Sequence, residues 1–450
     1  MFRNARFLIQ NRIGWMLWVL LGIVSPMTAV AQNATSAYPP PEALRLLQIA
    51  LQRNPSLISA HFEAGAAHSI DENLSTWDAP EIGVDFYQTP IASFPNPVKG
   101  EREIDYSVSQ TIPFPGKLDA IARPHHLHGA AEESHADAIA LDLRRQILSA
   151  YADLYKAQWR ARLIQEDRQE VERLRGAAKV GYEGGMGSQA DLLHAESEEA
   201  SLDGEALQAE EEQVEAQASL SSLVGVVGAE DTVPQVDSLF PIPLPTGMSL
   251  DSLKNLAMGR RPDLESLHRE IDMAQAEVKA KGEEAYPDFM LSGAYKDIQN
   301  NAGESQGFWS VGVDMKVPIA PWSDKGVRAG VDGAQLMQLK SENDYAAQAL
   351  MANAEVERAA AALTSAQGRM ELARDRQIPL ARQALQSALA SYQGGKTDFN
   401  SVLMAFRDTR MAREEYHVAV SDHLKAWAAL EWATGGTLSS TSAPTTPKGD

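Results

Sequence analysis

Cysteine is absent from the 450-residue chain, which excludes disulfide bonds, thiolate metal sites and a cysteine nucleophile. Positive charge is scarce, because 40 Lys and Arg stand against 61 Asp and Glu, for a net charge of −21. Such an acidic chain lacks the basic surface that binds nucleic-acid phosphates, so we expect no nucleic-acid partner. Hydrophobic residues make up 44% of the chain, which is enough to bury a large core.

Catalytic patterns are also missing from the sequence. It contains no phosphate-binding loop of the form G-x-x-x-x-G-K, and no arrangement of Ser, His and Asp stands out as a nucleophilic site. We therefore expect a protein that is not an enzyme and that has no cofactor.

The first 31 residues have the pattern of a secretory signal peptide. A positively charged segment up to Arg12 precedes an apolar run at 13–24, and Ala29 and Ala31 mark a cleavage site. The run is shorter than the roughly 20 residues that a membrane-spanning helix needs, and no later apolar run reaches 18 residues. We predict that residues 1–31 are removed on export from the cytoplasm; the alternative is a retained membrane anchor.

A series of residues recurs along the chain at a nearly constant offset, which starts at 207 positions and ends at 210. The matched residues are, in order, Leu46, Pro55, Leu57, Tyr182, Gly184 and Gly225 in the first half and Leu253, Pro262, Leu264, Tyr392, Gly394 and Gly435 in the second. An ordered series of this kind indicates a duplicated unit. We predict repeats at 40–228 and 248–436, a Pro-rich linker at 229–247 and a disordered tail at 437–450.

Each unit is predicted to contain the same elements in the same order. A short helix ends before Pro55 or Pro262, since the residue before a proline disfavours the helical conformation. A second helix follows, and then two strands with alternating apolar and polar residues. The predicted strands span 81–88 and 104–114 in the first unit and 288–297 and 308–317 in the second. Their lengths suit tilted strands that cross a membrane.

A long helical hairpin is predicted to complete each unit. Apolar residues from Leu143 to Tyr155 keep helical spacing, and nothing forces the helix to stop between Pro124 and Tyr182. The second unit repeats this pattern from about Asp324 to Tyr392, with a kink expected at Pro379. The chain then turns at 182–188 and 392–398 and returns as another helix. Four strands cannot close a barrel in lipid, because the open edges would leave backbone groups unpaired. Three copies would supply twelve strands, so the pattern predicts a trimer.

With this order of elements the sequence resembles the TolC family of outer-membrane efflux proteins, over roughly residues 40–435. The segment 109–117, Ser-Gln-Thr-Ile-Pro-Phe-Pro-Gly-Lys, is most similar to the branch that serves heavy-metal pumps. The resemblance implies an α+β, mainly α fold. In it, tandem units with long helical hairpins form a periplasmic tunnel, and four strands per chain contribute to a trimeric twelve-stranded outer-membrane β-barrel.

The same resemblance implies the function of an exit duct in a tripartite efflux pump. Its expected partners are two further copies of the chain, a periplasmic adaptor protein, an inner-membrane pump of the RND or a similar type, and outer-membrane lipid. The cargo would leave the periplasm for the exterior, with heavy-metal cations as the candidate. The alternatives are a soluble periplasmic coiled-coil adaptor or scaffold, and a metal-binding chaperone.

The adaptor is expected to bind at the two helix tips. The candidate contact residues are Gly184, Gly185, Leu192, Leu193, Gly394, Gly395, Val402 and Leu403. Glycine also simply permits a sharp turn, and the four apolar side chains could instead pack between helices. Family members narrow the pore with paired aspartates at the second tip, but the matching positions here are Ser401 and Met404. The acidic candidates for the aperture are therefore Asp191 and Asp398.

Two further patterns could bind cations. The side chains of His125, His128, Glu132 and His135 share one helix face and are of types that ligate metals, although a solvated polar stripe is the alternative. Acidic runs at 196–199 and 210–212 predict a negatively charged tunnel or, alternatively, solvated helix faces.

Overall fold

The computed structural model describes residues 40–87, 102–185, 187–225, 248–300, 304–318 and 321–438, together with the single residues 91, 95, 236, 239 and 302. The predicted signal peptide at 1–31 lies outside these residues, as do most of the linker and the chain from 439 onwards. No helix in the described ranges is long and apolar enough to cross a membrane.

The described elements follow the predicted order in both halves. The first half comprises α1 (Pro41–Arg53), α2 (Pro55–Leu74), β1 (Glu81–Tyr87), β2 (Arg102–Ile112), α3 (Lys117–Glu183) and α4 (Gln189–Val224). The second half comprises α5 (Leu250–Arg260), α6 (Pro262–Glu283), β3 (Asp288–Gln299), β4 (Ser305–Lys316), α7 (Pro321–Leu372), α8 (Ile378–Gln393) and α9 (Phe399–Ala433).

The break before each proline occurs where the sequence predicts it, but different side chains stabilise it in the two halves. Asn54 accepts hydrogen bonds from the backbone N–H groups of Ser56 and Leu57 and donates one to the carbonyl of Leu223. Arg261 has the equivalent extended backbone (φ −71°, ψ 121°). Its buried guanidinium forms ion pairs with Asp263 and Glu355.

The long helix α3 starts earlier than the sequence predicts, at Lys117 instead of Pro124. Gly116 begins it with a left-handed conformation (φ 89°), and the ammonium of Lys117 is 2.8 Å from the Asp288 carboxylate at the foot of the sheet. Pro124 lies inside the helix, where it removes one backbone hydrogen bond without ending it. At 67 residues, α3 is about 100 Å long.

The second long helix is interrupted at the predicted place. A five-residue π-helical segment, Ala373–Gln377, separates α7 from α8 and lies directly before the start of α8, where Pro379 has no N–H to donate. The irregularity is thus explained by the proline.

Each long helix lies beside a pair of shorter ones. α3 packs against α2 and α4, and α7 packs against α6 and α9; α3 also contacts α6 and α9. Three apolar clusters fill the interior. One joins α1, α2, α3, α4, α7 and α9, a second joins α3, α4, α8 and α9 next to the tips, and a third joins α5, α7 and α9.

The predicted linker and the predicted tail each contribute buried residues to these clusters. Val236 and Leu239, from the predicted linker, are buried in the first cluster, and the N–H of Val236 donates to the side-chain carbonyl of Gln158 at 2.8 Å. Leu438, from the predicted tail, is buried in the third cluster. The packed chain therefore extends at least to Leu438.

The strands form one antiparallel sheet in the order β1-β2-β3-β4. β3 and β4 are longer than predicted towards their connection. The reason is a tight turn, in which the N–H of Asn300 donates to the carbonyl of Glu304 at 3.0 Å and the Asn300 side chain accepts from Ala302 and Glu304.

Candidate functional site

One candidate functional surface is the apolar face of the sheet. Successive residues of a strand point to opposite faces, and the register places Val84, Tyr106, Tyr295 and Trp309 side by side across all four strands. The exposed members of this apolar face are Ile82, Val84, Phe86, Tyr106, Val108, Leu291, Tyr295, Trp309, Val311, Val313 and Met315. Trp309 and Ile82 are both 81% exposed, so no described residue covers the face at these two positions.

The opposite face of the same sheet carries the charged and hydroxyl side chains. By the same register these are Asp85, Glu103, Asp105, Ser107, Ser109, Ser292, Lys296, Ser310 and Asp314, and they share the face with Tyr87, Met290, Ile298 and Phe308. A sheet that is apolar on one side and polar on the other can separate lipid from water. β1 and β4 are the two edges of the sheet among the described strands.

The second candidate surface is formed by the two tips, where α3 turns into α4 and α8 turns into α9. Gly185 (φ 71°) and Gly395 (φ 67°) adopt the left-handed conformation that favours glycine. Gly184 and Gly394 have φ of −81° and −85°, which other residues also adopt. Only the second glycine of each pair is therefore required by the turn.

The helix that follows each tip, α4 or α9, begins with side chains that cap its first backbone N–H groups. Ser188 and Asp191 form a capping box at the start of α4, and Asp398 accepts hydrogen bonds from the N–H (3.0 Å) and hydroxyl (2.6 Å) of Ser401 at the start of α9. These hydrogen bonds lower the pKa of Asp398. The two aperture candidates, Asp191 and Asp398, are thus both helix caps.

Tyr392 joins the two tips, a contact that sequence reasoning missed. Its buried hydroxyl donates to the Asp191 carboxylate at 3.2 Å, and its ring packs edge-on against Phe399. A Cβ at Gly181 or Gly187 would lie 3.1 or 3.0 Å from this hydroxyl. Burial, together with the negative charge of Asp191, raises the pKa of Tyr392, so the phenol keeps its proton.

The predicted adaptor-contact residues fall into two groups. Gly184, Gly185, Gly394, Gly395 and Leu193 are exposed at the tips, and Leu192 is half-buried. Val402 and Leu403 are buried in the second apolar cluster. They share this cluster with Leu174 and Leu202, which favours the alternative of interhelical packing, and their contact with an adaptor stays a prediction.

Above the tips, three arginines of α9 pair with acidic residues of α3 and α4. Arg410 is 3.1 Å from Asp167 and 2.5 Å from Glu205, and Arg407 is 2.5 Å from Glu198. Asp167 and Glu198 are only 4% and 3% exposed. The third arginine, Arg413, is 3.0 Å from the other oxygen of Asp167. Burial raises the pKa of Asp167, although the positive charges of Arg413 and Arg410 act to lower it.

This network changes the interpretation of the acidic runs. Glu198 is buried within it, while Glu199 pairs with Arg175 and Glu212 with Arg160. Glu196, Glu210 and Glu211 are exposed. Only part of each run is therefore available to give a water-filled space a negative potential.

The predicted histidine stripe lies on α3 as expected. His128 is 3.8 Å from Glu132, and His125 and His135 follow on the same helix. Within the described residues, no three His, Asp or Glu side chains are placed to hold a metal ion. His68 of α2, which is not part of the stripe, lies nearby on α3's neighbour and pairs with Glu133 of α3 at 3.1 Å. Metal binding by the stripe stays a prediction.

Comparisons with known proteins agree with this architecture. The family model described as outer membrane efflux protein matches residues 46–226 and 253–436. The nodulation protein T of Rhizobium leguminosarum bv. trifolii is 27% identical over 193 residues, which cover 42% of this chain and 40% of that protein. The cobalt-zinc-cadmium resistance protein CzcC of Cupriavidus metallidurans is 23% identical over 419 residues, 90% of this chain and 95% of that protein.

The fold is shared with solved structures. The outer-membrane channel OprN superposes with a TM-score of 0.75 at 21% identity, covering 92% of this chain and 98% of that one. The matching family and the structural neighbours consist of channel proteins, not of enzymes.

Proposed function

This chain belongs to the outer membrane efflux protein family, and we propose that three copies of it form the exit duct of a tripartite efflux pump in the outer membrane. The observation that carries the proposal is the two-faced sheet. Its apolar face is exposed on every strand, as a surface in contact with lipid would be, and its polar face would line a water-filled pore.

Closure of the sheet requires more than one chain. The edges β1 and β4 would leave unpaired backbone groups in lipid. If β4 of one copy pairs with β1 of the next, three copies close a twelve-stranded barrel without edges. Strands of 11 or 12 residues, as in β2, β3 and β4, are long enough to cross a bilayer at a tilt.

The helices would continue this pore into the periplasm as a tunnel. We treat 40–228 and 248–436 as tandem repeats joined by 229–247, a division supported by the two separate matches of the family model. The tips would contact a periplasmic adaptor through the exposed residues around Gly185, Leu193 and Gly395. The hydrogen bond from Tyr392 to Asp191 would hold the two tips of one chain together when the tunnel is narrow.

The cargo we propose is a heavy-metal cation supplied by an inner-membrane pump. Support comes from the similarity to CzcC, a cobalt-zinc-cadmium resistance protein that aligns over 90% of this chain, and from the segment 109–117. The net charge of −21 also suits a duct for cations.

The test combines oligomer mass in detergent with single-channel recording of the purified protein in a planar bilayer. We expect a trimer that conducts in defined steps. A monomer that stays soluble without detergent and never conducts would contradict the duct and favour a periplasmic coiled-coil adaptor or scaffold.

A further inference from the structure

A row of apolar side chains runs along the exposed face of α7. Its members, each between 44% and 74% exposed, are Leu336, Leu339, Leu350 and Leu372. Their spacings are close to whole numbers of helical turns, so the four side chains share one face. The opposite face carries Val356 and Leu363, which are buried in the third apolar cluster. An exposed apolar row of this length is typical of a surface that binds a partner, and we call it the α7 stripe.

The order of the helices places α7 at one side of the helical part of the chain and α2 with α4 at the other side. α3 packs between the layer of α2 and α4 and the layer of α6 and α9, and α7 packs on α6 and α9. α2 leads into β1, and α7 follows β4. The two outer layers of helices are therefore connected to the two edge strands of the sheet.

The layer of α2 and α4 also exposes large apolar side chains. Phe62 of α2 is 74% exposed, and Leu207 and Val214 of α4 are 70% and 60% exposed. Leu207 and Val214 are about two helical turns apart and share one face of α4. Because both outer layers expose apolar side chains, each suits the other as a partner in an assembly of identical chains.

The apolar side chains of the two layers lie at matching heights near the tips. The hydrogen bond from Tyr392 to Asp191 gives α8 and α4 a common starting level. At 1.5 Å per residue, Leu372 lies about 30 Å above this level. Leu207 and Val214 lie at about 24 and 35 Å, so the height of Leu372 falls between them.

The two layers also match farther from the tips. The side chain of Asn54, which directly precedes α2, donates to the carbonyl of Leu223 near the end of α4, so α2 continues the column of helix that α4 begins. Counted in the same way, Phe62 lies about 60 Å above the tips and Leu350 about 63 Å. The apolar surfaces of the two layers are therefore in register at two separate heights.

We propose that the α7 stripe of one copy of the chain packs against α2 and α4 of a second copy, and we call this contact the helix seam. In the seam Leu350 lies beside Phe62, and Leu372 lies beside Leu207. The inference rests on the proposed trimeric duct, in which β4 pairs with β1 of the next copy and so brings α7 next to α2. The two surfaces lie on opposite sides of one chain, so three seams close a ring.

Charged side chains on the two faces favour the same partner. Glu211 follows Leu207 by four residues, and Arg376 follows Leu372 by four residues, so each lies on the face of its apolar neighbour. Both are exposed, at heights of about 30 and 24 Å above the tips. Across the seam their opposite charges would attract each other.

The experiment uses cysteine pairs, because the chain contains no cysteine and two introduced residues are then the only thiols. The purified trimer in detergent is treated with a short bismaleimide cross-linker, which tolerates a shift of one helical turn, and the products are separated on a denaturing gel. We expect Phe62→Cys with Leu350→Cys to give covalent trimers, because each copy becomes joined to the next. Phe62→Cys with Leu372→Cys is the matched control and should give no product, since these positions differ by about 30 Å in height.

A second set of pairs tests the part of the seam near the tips. Leu207→Cys with Leu372→Cys should give covalent trimers, and Leu207→Cys with Leu350→Cys should give none. If Phe62→Cys prevents assembly, the pair at 207 and 372 decides, because it leaves both residues of the upper contact unchanged.

The outcomes separate the helix seam from the duct on which it rests. A trimer that conducts but gives no product, or the same product from matched and control pairs, overturns the seam and leaves the duct in place. The α7 stripe would then be covered by another molecule, such as the adaptor. A protein that stays monomeric in detergent and does not conduct overturns the duct, and the seam with it.

Discussion

A single phenol, that of Tyr392, connects the two helix tips of the chain. Its ring is packed against Phe399, and its hydroxyl reaches Asp191 because Gly181 and Gly187 leave room for it. One such hydrogen bond contributes about 1 kcal/mol. If the proposed duct opens by separation of its tips, a contact of this strength would shift the balance between the open and closed states.

We predict that Tyr392→Phe, which removes only the hydroxyl, raises the ratio of open to closed channels roughly fivefold, since about 1 kcal/mol of the closed state is lost. The measurement is open probability in planar bilayers. Tyr182→Phe is the matched control, because the equivalent Tyr182 of the first tip is 49% exposed. Equal effects of the two substitutions would contradict a role for the contact.

His417 of α9 is a second residue whose surroundings determine its chemistry. Its ring is stacked on Trp159 at 4.1 Å, and its Nδ1 is 2.9 Å from the Tyr155 hydroxyl. Burial, followed by the positive charges of Arg413 and Arg162, lowers the pKa of His417 to about 4. The fold therefore favours the neutral ring.

Because the folded-state pKa lies below the ordinary value of 6.5, the stabilisation from neutral His417 is complete above pH 6.5 and is lost as the pH falls towards 4. The loss amounts to at most about 3 kcal/mol. We expect His417→Gln to flatten this part of the stability profile, measured by denaturant unfolding with tryptophan fluorescence. The exposed His194→Gln variant should keep the wild-type slope; a wild-type slope in His417→Gln would refute the prediction.

At the scale of elements, the two halves share a close approach between helix ends. Gly225 (φ 75°) ends α4 against Arg53 at the end of α1, and Gly435 (φ 80°) follows α9 against Arg260 at the end of α5. A Cβ would lie 2.9 Å from the Arg53 carbonyl oxygen or 2.5 Å from the Arg260 carbonyl carbon. The end of α4 therefore packs closely against the end of α1, and the end of α9 packs closely against the end of α5.

Gly435→Ala combines a left-handed backbone with a backbone clash, so we expect it to lower the free energy of unfolding by more than about 2 kcal/mol. Gly395→Ala is the control. It has a similar φ of 67°, but no atom lies within 4 Å of its added Cβ, so only the conformational cost of about 1 kcal/mol remains. Chemical denaturation measures both, and equal losses would show that the close approach is unimportant.

At the scale of the whole molecule, the two faces of the sheet determine where the protein can reside. Val311 lies on the apolar face and is 67% exposed, and its neighbour Ser310 is exposed on the polar face. Both belong to the edge strand β4. A substitution at either position therefore tests one face without changing the strand.

We predict that Val311→Lys impairs assembly in the outer membrane and that Ser310→Lys is tolerated. A lysine that faces lipid near the bilayer centre costs about 2–4 kcal/mol per chain, and the proposed trimer would carry this cost three times. The measurement is the yield of heat-modifiable trimer in the outer-membrane fraction. Equal yields would be incompatible with Val311 facing lipid.

Local rules account for most of what could be predicted. Proline determined the breaks before Pro55 and Pro262, alternation identified the four strands, and paired glycines located both tips. These signals act over a few residues, so they can be read along the chain. The proline rule is wrong at the start of α3, because Pro124 lies inside the helix, which begins at Lys117 after the left-handed Gly116.

The sequence by itself thus determined the order of elements, the two faces of each strand and the position of the tips. Only the tertiary structure decided which side chains meet. Val402 and Leu403 became buried, Tyr392 reached Asp191 from 201 positions away, and Arg410 paired with Asp167 from 243 positions away. Such contacts depend on how the helices of the two halves are packed together, and no spacing within a single helix encodes that packing.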